Sequence, residues 1–437
     1  MNDEKRIVIV GTMPYNPNSQ SRLYESFFTG FDRKNLAQVF SNTKTPIKGH
    51  CEKLYQITDQ RMIKRRFNKS IVTGRRFTYD ELPDKWQDNK AEVSGGVFKS
   101  LYKLSGRKSS FTHLLRKLVW KKKYWCTKDF NDWLEEFNPE CVFLSFSDDF
   151  FIGEIALYIA GKFNIPIVAF SGDDYYFNAH FSFSPFYLIY KILHRRHIRK
   201  IFSVCKYASL SSDYIKDKYA EYFGINTMAT YLSSSVPRRE FREINKENPL
   251  ITYCGNIRIG RNLSLIHIAE SLKSVNKDYK LHIYSNEDDE KYYKPFEVVN
   301  NIVFHGAVPY SEVQKVIKDT DIFVVVEGFR KSDIDVARYS LSTKISDALA
   351  CGDAIFTYGS GECTAIKYMA ASGASVTVTE KSQLPENLSL LINDINLQKE
   401  MYDNAIKVFS SNHNTRRNVE RFKDFVNRAT LQRIRGI

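Results

Sequence analysis

The chain has 437 residues, of which 43% are hydrophobic and 26% charged. That length is too great for one ordinary core and suits two domains of roughly 200 residues each, and the composition excludes a disordered, collagen-like or fibrous chain. The formal net charge of +14 is uneven: residues 1–250 hold 40 Lys and Arg against 27 Asp and Glu, while residues 251–437 hold 24 against 23.

No apolar run approaches the ~18–20 residues that span a bilayer. The first residues, MNDEKRIVIVGTMP, show no signal-peptide core. Seven cysteines are dispersed, with no C-x-x-C and no zinc-like Cys/His spacing. This pattern predicts a reduced, cytoplasmic chain whose cysteines are small core residues.

In chain order, Arg6–Val10 reads as a first strand, followed by a loop running from Gly11 to Arg22. In that loop Ser19, Gln20 and Ser21 offer N–H donors at a helix start, and Arg22 can reach a phosphate. From Leu36 to Asp129 the sequence is rich in Lys and Tyr and shows no order of elements that the pattern settles. The strand Cys141–Phe146 is followed by Asp148 and Asp149, and the strand Ile165–Phe170 by Asp173 and Asp174. Adjacent carboxylates beyond a strand can orient sugar hydroxyls or stabilise a cationic transition state, and they can also be solvated loop acids. Asp173 and Asp174 are the candidates for catalysis among these.

Pro185–Phe202 reads as an amphipathic helix. Lys191, Arg195 and Arg199 fall on one stripe, and Phe186, Ile189, Tyr190 and Leu193 on another. A basic stripe beside aromatic residues suits an anionic membrane surface; a solvated basic face with a buried apolar stripe is the plainer alternative. No nucleic-acid motif accompanies the charge, so no nucleic-acid partner is expected. A fourth strand, Ala208–Ser211, precedes a charged linker over 237–248.

The second half is more regular. Strands are predicted at Leu250–Cys254, Lys280–Tyr284, Asn301–Phe304, Asp321–Val326, Ala354–Thr357 and Ser375–Thr379, with helical segments in most intervals. Alternation at this spacing means a parallel α/β sheet, and ligands of such sheets sit beyond the carboxyl ends of the strands. Three segments there offer chemistry. Beyond Cys254, Gly255 and Asn256 make a turn, and Arg258 and Arg261 lie near a helix start, where a diphosphate can be held. Ser342 reads as an N-cap and Gly352 as the residue just past a short helix, whose first turn brings free N–H groups, Thr343 and Lys344. Asp347, one turn on, could accept both hydroxyls of a ribose. Gly361 and Glu362 belong to a Gly-rich turn after the next strand. Each segment alone also reads as an ordinary turn or capped helix. Asp333-Ile334-Asp335 is a D-x-D, but three-residue motifs are common, and no metal or other cofactor is expected.

Together these segments resemble the donor domain of nucleotide-sugar glycosyltransferases of the GT-B fold, and the retaining family 4 in particular. Gly255, Asn256, Ile257 and Arg261 match its G-[RN]-[LI]-x-x-x-[KR] loop. Ser342, Lys344, Ile345, Asp347, Leu349, Ala350 and Gly352 match its [SP]-x-K-[IL]-x-[ED]-x-[LM]-A-x-G helix. Between them His305-Gly306-Ala307-Val308-Pro309 stands in the expected place. The likeness covers about residues 249–410 well and the first half loosely.

The resemblance implies two Rossmann-like α/β domains facing a cleft: an acceptor domain over 1–236, a donor domain over 249–411, and a last segment, 412–437, that crosses back. It implies that Arg261 and Lys344 hold the diphosphate, that Asp347 takes the ribose, and that Ala307 and Val308 lie against the base. The implied reaction moves a sugar, with retention, from a nucleotide-diphosphate sugar to a hydroxyl of a glycan or lipid-linked glycan. The implied setting is bacterial cell-surface polysaccharide synthesis at the inner face of the membrane. Two departures stand out: Tyr339 occupies a position where many members have Glu, and the first loop lacks Gly-Gly. They keep open a non-catalytic subunit supporting a partner transferase; a sugar-nucleotide epimerase is a further alternative.

Overall fold

Short apolar runs build two sheets. The structure, a computed structural model, describes residues 4–16, 22–85 and 109–434. The first sheet contains β1 (Ile7–Val10), β2 (Leu36–Phe40), β3 (Lys53–Ile57), β4 (Gly74–Thr78), β5 (Cys141–Ser145), β6 (Ile167–Ser171), β7 (Tyr207–Leu210) and β8 (Asn226–Ala229). Its order is β4-β3-β2-β1-β5-β6-β7-β8, parallel throughout except for β4, which runs antiparallel to β3. The second sheet contains β9 (Ile251–Cys254), β10 (Leu281–Tyr284), β11 (Ile302–Gly306), β12 (Ile322–Val326), β13 (Ala354–Tyr358) and β14 (Ser375–Val378). Its order is β11-β10-β9-β12-β13-β14, all parallel.

The central strands IVIV of β1 and IFVVV of β12 are buried along their whole length. A strand covered on both faces has no polar side to alternate with, which is why these runs are continuous. In each sheet the order reverses once: β1 lies between β2 and β5, and β9 between β10 and β12. Such a reversal opens a crevice beyond the carboxyl ends of the strands.

The stretch between Leu36 and Asp129 supplies β2, β3 and the edge strand β4. It also supplies a helix, Ser110–Val119, and an aromatic core in which Trp120 stacks on Phe151 with centroids 3.7 Å apart. The last helix, Thr415–Ile434, returns to the first domain. There Phe422 meets Phe27, Phe28 and Phe143 edge-on, and Phe425 meets Tyr207. The chain therefore passes between the domains twice, and the two passages touch. Asn418 Nδ2 donates to the Tyr231 carbonyl (2.8 Å), and His413 Nδ1 lies 2.9 Å from the Leu232 carbonyl. No helix among the described residues is long and apolar enough to cross a membrane.

Candidate active site

A cavity of about 820 Å³ lies between the two domains at the strand ends. On the second domain's side its wall includes Tyr253, Gly255, Asn256, Arg261, Tyr284, Gly306, Ala307, Val308, Glu327 and Ser342–Lys344. The first domain contributes Asp148, Asp173, Asp174, Tyr190, Lys191, His194 and Arg195, among others.

The loop from β9 to the helix Arg261–Val275 is tight. Gly260, just before that helix, has φ +72°, and a Cβ there would lie 2.3 Å from an Asp333 carboxylate oxygen. A side chain would thus be strained in both backbone and space. Asp333 is buried and receives Arg330 in two bonds of 2.8 and 3.2 Å. Half of the D-x-D motif thus braces this loop. Among the described residues no group of three or more His, Cys, Asp or Glu is placed to hold a metal ion.

Arg261 is aimed by a partner the sequence reading missed. Its Nε and Nη2 donate to the two oxygens of Glu327, at 3.0 and 2.9 Å. Burial works against the Arg261 charge, but Glu327 more than offsets it and holds the guanidinium pKa above its ordinary value. Glu327 is buried at the carboxyl end of β12, where a charged residue directly follows an apolar run. A search for polar residues one step past each strand would have found it.

Ser342 caps its helix through the Lys344 N–H (3.3 Å), and Gly352 closes the far end in the left-handed region. Ser342, Thr343 and Lys344 line the cavity as a group. Lys344 is nearly buried; desolvation lowers its pKa, and the neighbouring Arg22 adds to that, while Asp347 opposes it.

Asp347 and Arg22 do not reach the cavity wall, because each neutralises the other. Asp347 is completely buried and pairs with the Arg22 guanidinium, and its second oxygen accepts from Ser234 (2.7 Å). Arg22 also donates to Tyr310 (2.6 Å), Ser346 (2.7 Å) and the Thr343 carbonyl (3.1 Å). Both side chains expected to meet the ligand are thus held by protein partners in this arrangement. Ser19, Gln20 and Ser21 lie outside the described residues.

Other expected residues also stand off the wall. Arg258 is turned outward onto Glu287 (2.7 Å). Glu362 pairs with Arg338 (2.8 Å), and neither it nor Gly361 lines the cavity. Tyr339 faces the first domain, where its hydroxyl accepts from Lys218 (2.6 Å). Gly255, Asn256, Ala307 and Val308 do line the cavity, beside Tyr284, which stacks on His305 at 4.2 Å.

On the first domain, Asp173 accepts from Ser340 across the cleft (2.8 Å). Asp174 is more constrained: one oxygen accepts the N–H groups of Tyr176 (3.0 Å) and Phe177 (2.8 Å) and the Tyr219 hydroxyl (3.1 Å). Its other oxygen is buried without a hydrogen-bond partner, and desolvation raises its pKa despite those donors. Asp148, at the end of the neighbouring strand, accepts from Tyr190 (2.7 Å).

The stripe Lys191, Arg195, Arg199 is divided between the cavity and an exposed end at Arg199. Lys191 and Arg195 line the cavity, Arg195 donates to the Tyr176 carbonyl (3.1 Å), and Arg199 donates to its hydroxyl (2.6 Å). The residues this helix buries are Tyr190, His194, Ile198, Ile201 and Phe202, whereas Phe186 and Ile189 are exposed.

Residues 237–408 match the family model for glycosyl transferases group 1. No curated protein matches the chain in sequence. Among solved structures, it is similar to sucrose-phosphate synthase from Thermosynechococcus elongatus (TM-score 0.59, 8% identity, 97% of this chain and 98% of that one). It is similar to Anabaena HepE in complex with UDP and glucose (TM-score 0.57, 11% identity, 97% and 99%). It also resembles WaaG, a glycosyltransferase involved in lipopolysaccharide biosynthesis (TM-score 0.52, 11% identity, 96% and 99%). The chain has the GT-B fold, and its second domain matches the family model for glycosyl transferases group 1.

Proposed function

We propose that this protein transfers a glycosyl group from a nucleotide-diphosphate sugar to a hydroxyl of a glycan or lipid-linked glycan. The observation that carries this reading is the pairing of Arg261 with the Ser342–Lys344 helix start on one wall of the interdomain cavity. Two cations and the positive end of a helix there border a space large enough for a nucleotide sugar. The HepE structures with UDP and with UDP-glucose support a nucleotide sugar as the ligand class.

The chemistry follows from charge. The bond from the anomeric carbon to the diphosphate breaks, and its electron pair leaves with the diphosphate. Arg261, Lys344 and the helix N–H groups stabilise that charge where it develops. No metal enters this reading, because the two cations stand in that place. The acceptor oxygen forms the new bond, and its proton passes to the departing diphosphate oxygen. Asp173, on the opposite wall, is the group placed to steady the sugar or its positive charge; Asp174 positions the loop that carries it. Gly255, Asn256, Ala307 and Val308 hold the nucleoside. The family 4 resemblance supports retention. The basic first domain and the likeness to WaaG support bacterial cell-surface glycan synthesis at the inner face of the membrane.

The test is thermal stability against UDP-, GDP-, CMP- and dTDP-sugars, repeated with Lys344→Ala. One nucleotide should stabilise the wild type by roughly 3–4 kcal/mol at about 100–1,000 times Kd and leave the variant nearly unmoved. Stabilisation by none of them would favour a non-catalytic subunit. Turnover of a donor without any acceptor would favour an epimerase.

A further inference from the structure

The helix Pro185–Val204 has three faces. Tyr190, His194, Ile198 and Ile201 face the core. Tyr187, Lys191 and Arg195 face the cavity. The remaining face carries Phe186, Ile189 and Ile192, which are 49%, 51% and 54% exposed. The loop before it adds Phe181 and Phe183, at 57% and 89%. That loop is folded against the helix: the His180 ring stands edge-on to Tyr187, and the His180 carbonyl accepts from Tyr187 and Lys191. Phe111, from the Ser110–Val119 helix, extends the surface by packing edge-on against Phe186 at 4.9 Å.

So many large apolar side chains in one short segment are not an ordinary solvated face. Their position decides what covers them. His180 lines the cavity while Phe181 and Phe183 project outside it, and Lys191 lines the cavity one residue before exposed Ile192. The apolar surface is therefore the outer lip of the cleft. Exposed Arg196 and Lys200 lie on the same helix, and the first 250 residues have 40 Lys and Arg against 27 Asp and Glu. An apolar surface bordered by cations, on a helix that does not span, fits the headgroup boundary of an anionic bilayer.

We infer that this lip seats the protein on an anionic lipid bilayer and that the acceptor is an amphiphile carried in that bilayer. Its tail stays among Phe181, Phe183, Phe186 and Ile189, and its polar, anionic head enters the cleft past Lys191 and Arg195. The inference rests on the transferase reading for the word acceptor, but the bilayer contact stands on the surface alone. It also centres that contact on the aromatic surface beside the basic stripe, two of whose residues, Lys191 and Arg195, line the cavity.

The experiment is flotation of the full chain with phosphatidylcholine vesicles, with and without about one third phosphatidylglycerol, at low and high salt. It is repeated with the triple variant Phe183→Ser/Phe186→Ser/Ile189→Ser, with Phe183→Ser alone, and with Val298→Ser, an exposed residue of the second domain. The wild type and Val298→Ser should float with the anionic vesicles, more at low salt. The triple variant should bind at least about tenfold more weakly, and the single variant should fall between. No flotation of the wild type, or equal flotation of the triple variant, overturns the inference. So does a wild-type dimer that the triple variant turns into a monomer, since a second copy would then cover the lip. Stabilisation by the same panel of UDP-, GDP-, CMP- and dTDP-sugars is read on the same samples. Flotation without any nucleotide effect leaves the bilayer contact and removes the transferase; nucleotide binding without flotation does the reverse.

Discussion

Glu327 uses only one edge of the Arg261 guanidinium, the edge made by Nε and Nη2. Three of its five N–H groups remain on the other edges, held in a fixed plane. A flexible cation would have to be ordered on meeting an anion; this one is ordered beforehand. Glu327→Ala should lower stability by about 2–3 kcal/mol in urea unfolding, less than for a dry ion pair because Arg261 faces the cleft. Asp353 shows the opposite case. It is wholly buried, both its oxygens lack hydrogen bonds, and desolvation pushes its pKa up to about 7, against a partial offset from Arg239 3.4 Å away. The folded state therefore holds a proton that the unfolded chain releases near pH 4. Stability is full below pH 4 with respect to this group and falls as pH rises to about 7. Asp353→Asn should raise the melting temperature, with a gain that grows between pH 4 and 7 and is level above that. A gain independent of pH would show that the carboxyl is already ionised in the folded protein.

Local signals decide which elements could be read in advance. The helix Thr343–Cys351 carries a capping Ser at one end and a Gly just past the other, and both serve those roles. Gly352 has φ +87°, and a Cβ there would come within 2.6 Å of the Tyr402 ring. Gly352→Ala should cost about 1–2 kcal/mol, measured as a shift in the urea midpoint at constant slope. Buried parallel strands were equally legible, because an unbroken apolar run has one reading at that length: β12 differs from the expected Asp321–Val326 by one residue. β4 was not legible. Its five residues, GRRFT, include two arginines, and it is an edge strand set by its antiparallel partner. The helix Pro185–Val204 was legible as a helix but not in its orientation. Periodicity gives the spacing of stripes, and this helix has apolar residues on more than one; packing chose the stripe with Tyr190 and His194.

At the scale of the whole molecule, the domains are joined through charges that lie far apart in the chain. Arg22 and Asp347 are 325 residues apart in sequence. A lone Arg after a strand and a lone Asp on a helix each look available, and only the closed arrangement of the two domains pairs them. Asp173 with Ser340 and Lys218 with Tyr339 bridge the same gap. Arg22→Ala would leave a fully buried carboxylate unpaired. It should cost about 3–5 kcal/mol and split a single calorimetric unfolding transition into two as the domains uncouple. One broad, unshifted transition would show that the pair contributes nothing to their coupling. Of the cavity wall, the turn at Gly255 and the Ser342–Lys344 helix start could be read from motifs of adjacent residues. Glu327 and the inward turn of Asp347 could not, since both depend on what the fold brings opposite.

The double passage of the chain between its domains has a mechanical consequence. A body tied at one point can swing in any direction, whereas one tied at two adjoining points can only turn about the line through them. Here the two ties are bonded to each other at Tyr231–Asn418 and Leu232–His413. The two ties thus act as a single seam, and any relative turning of the domains is confined to the line through it.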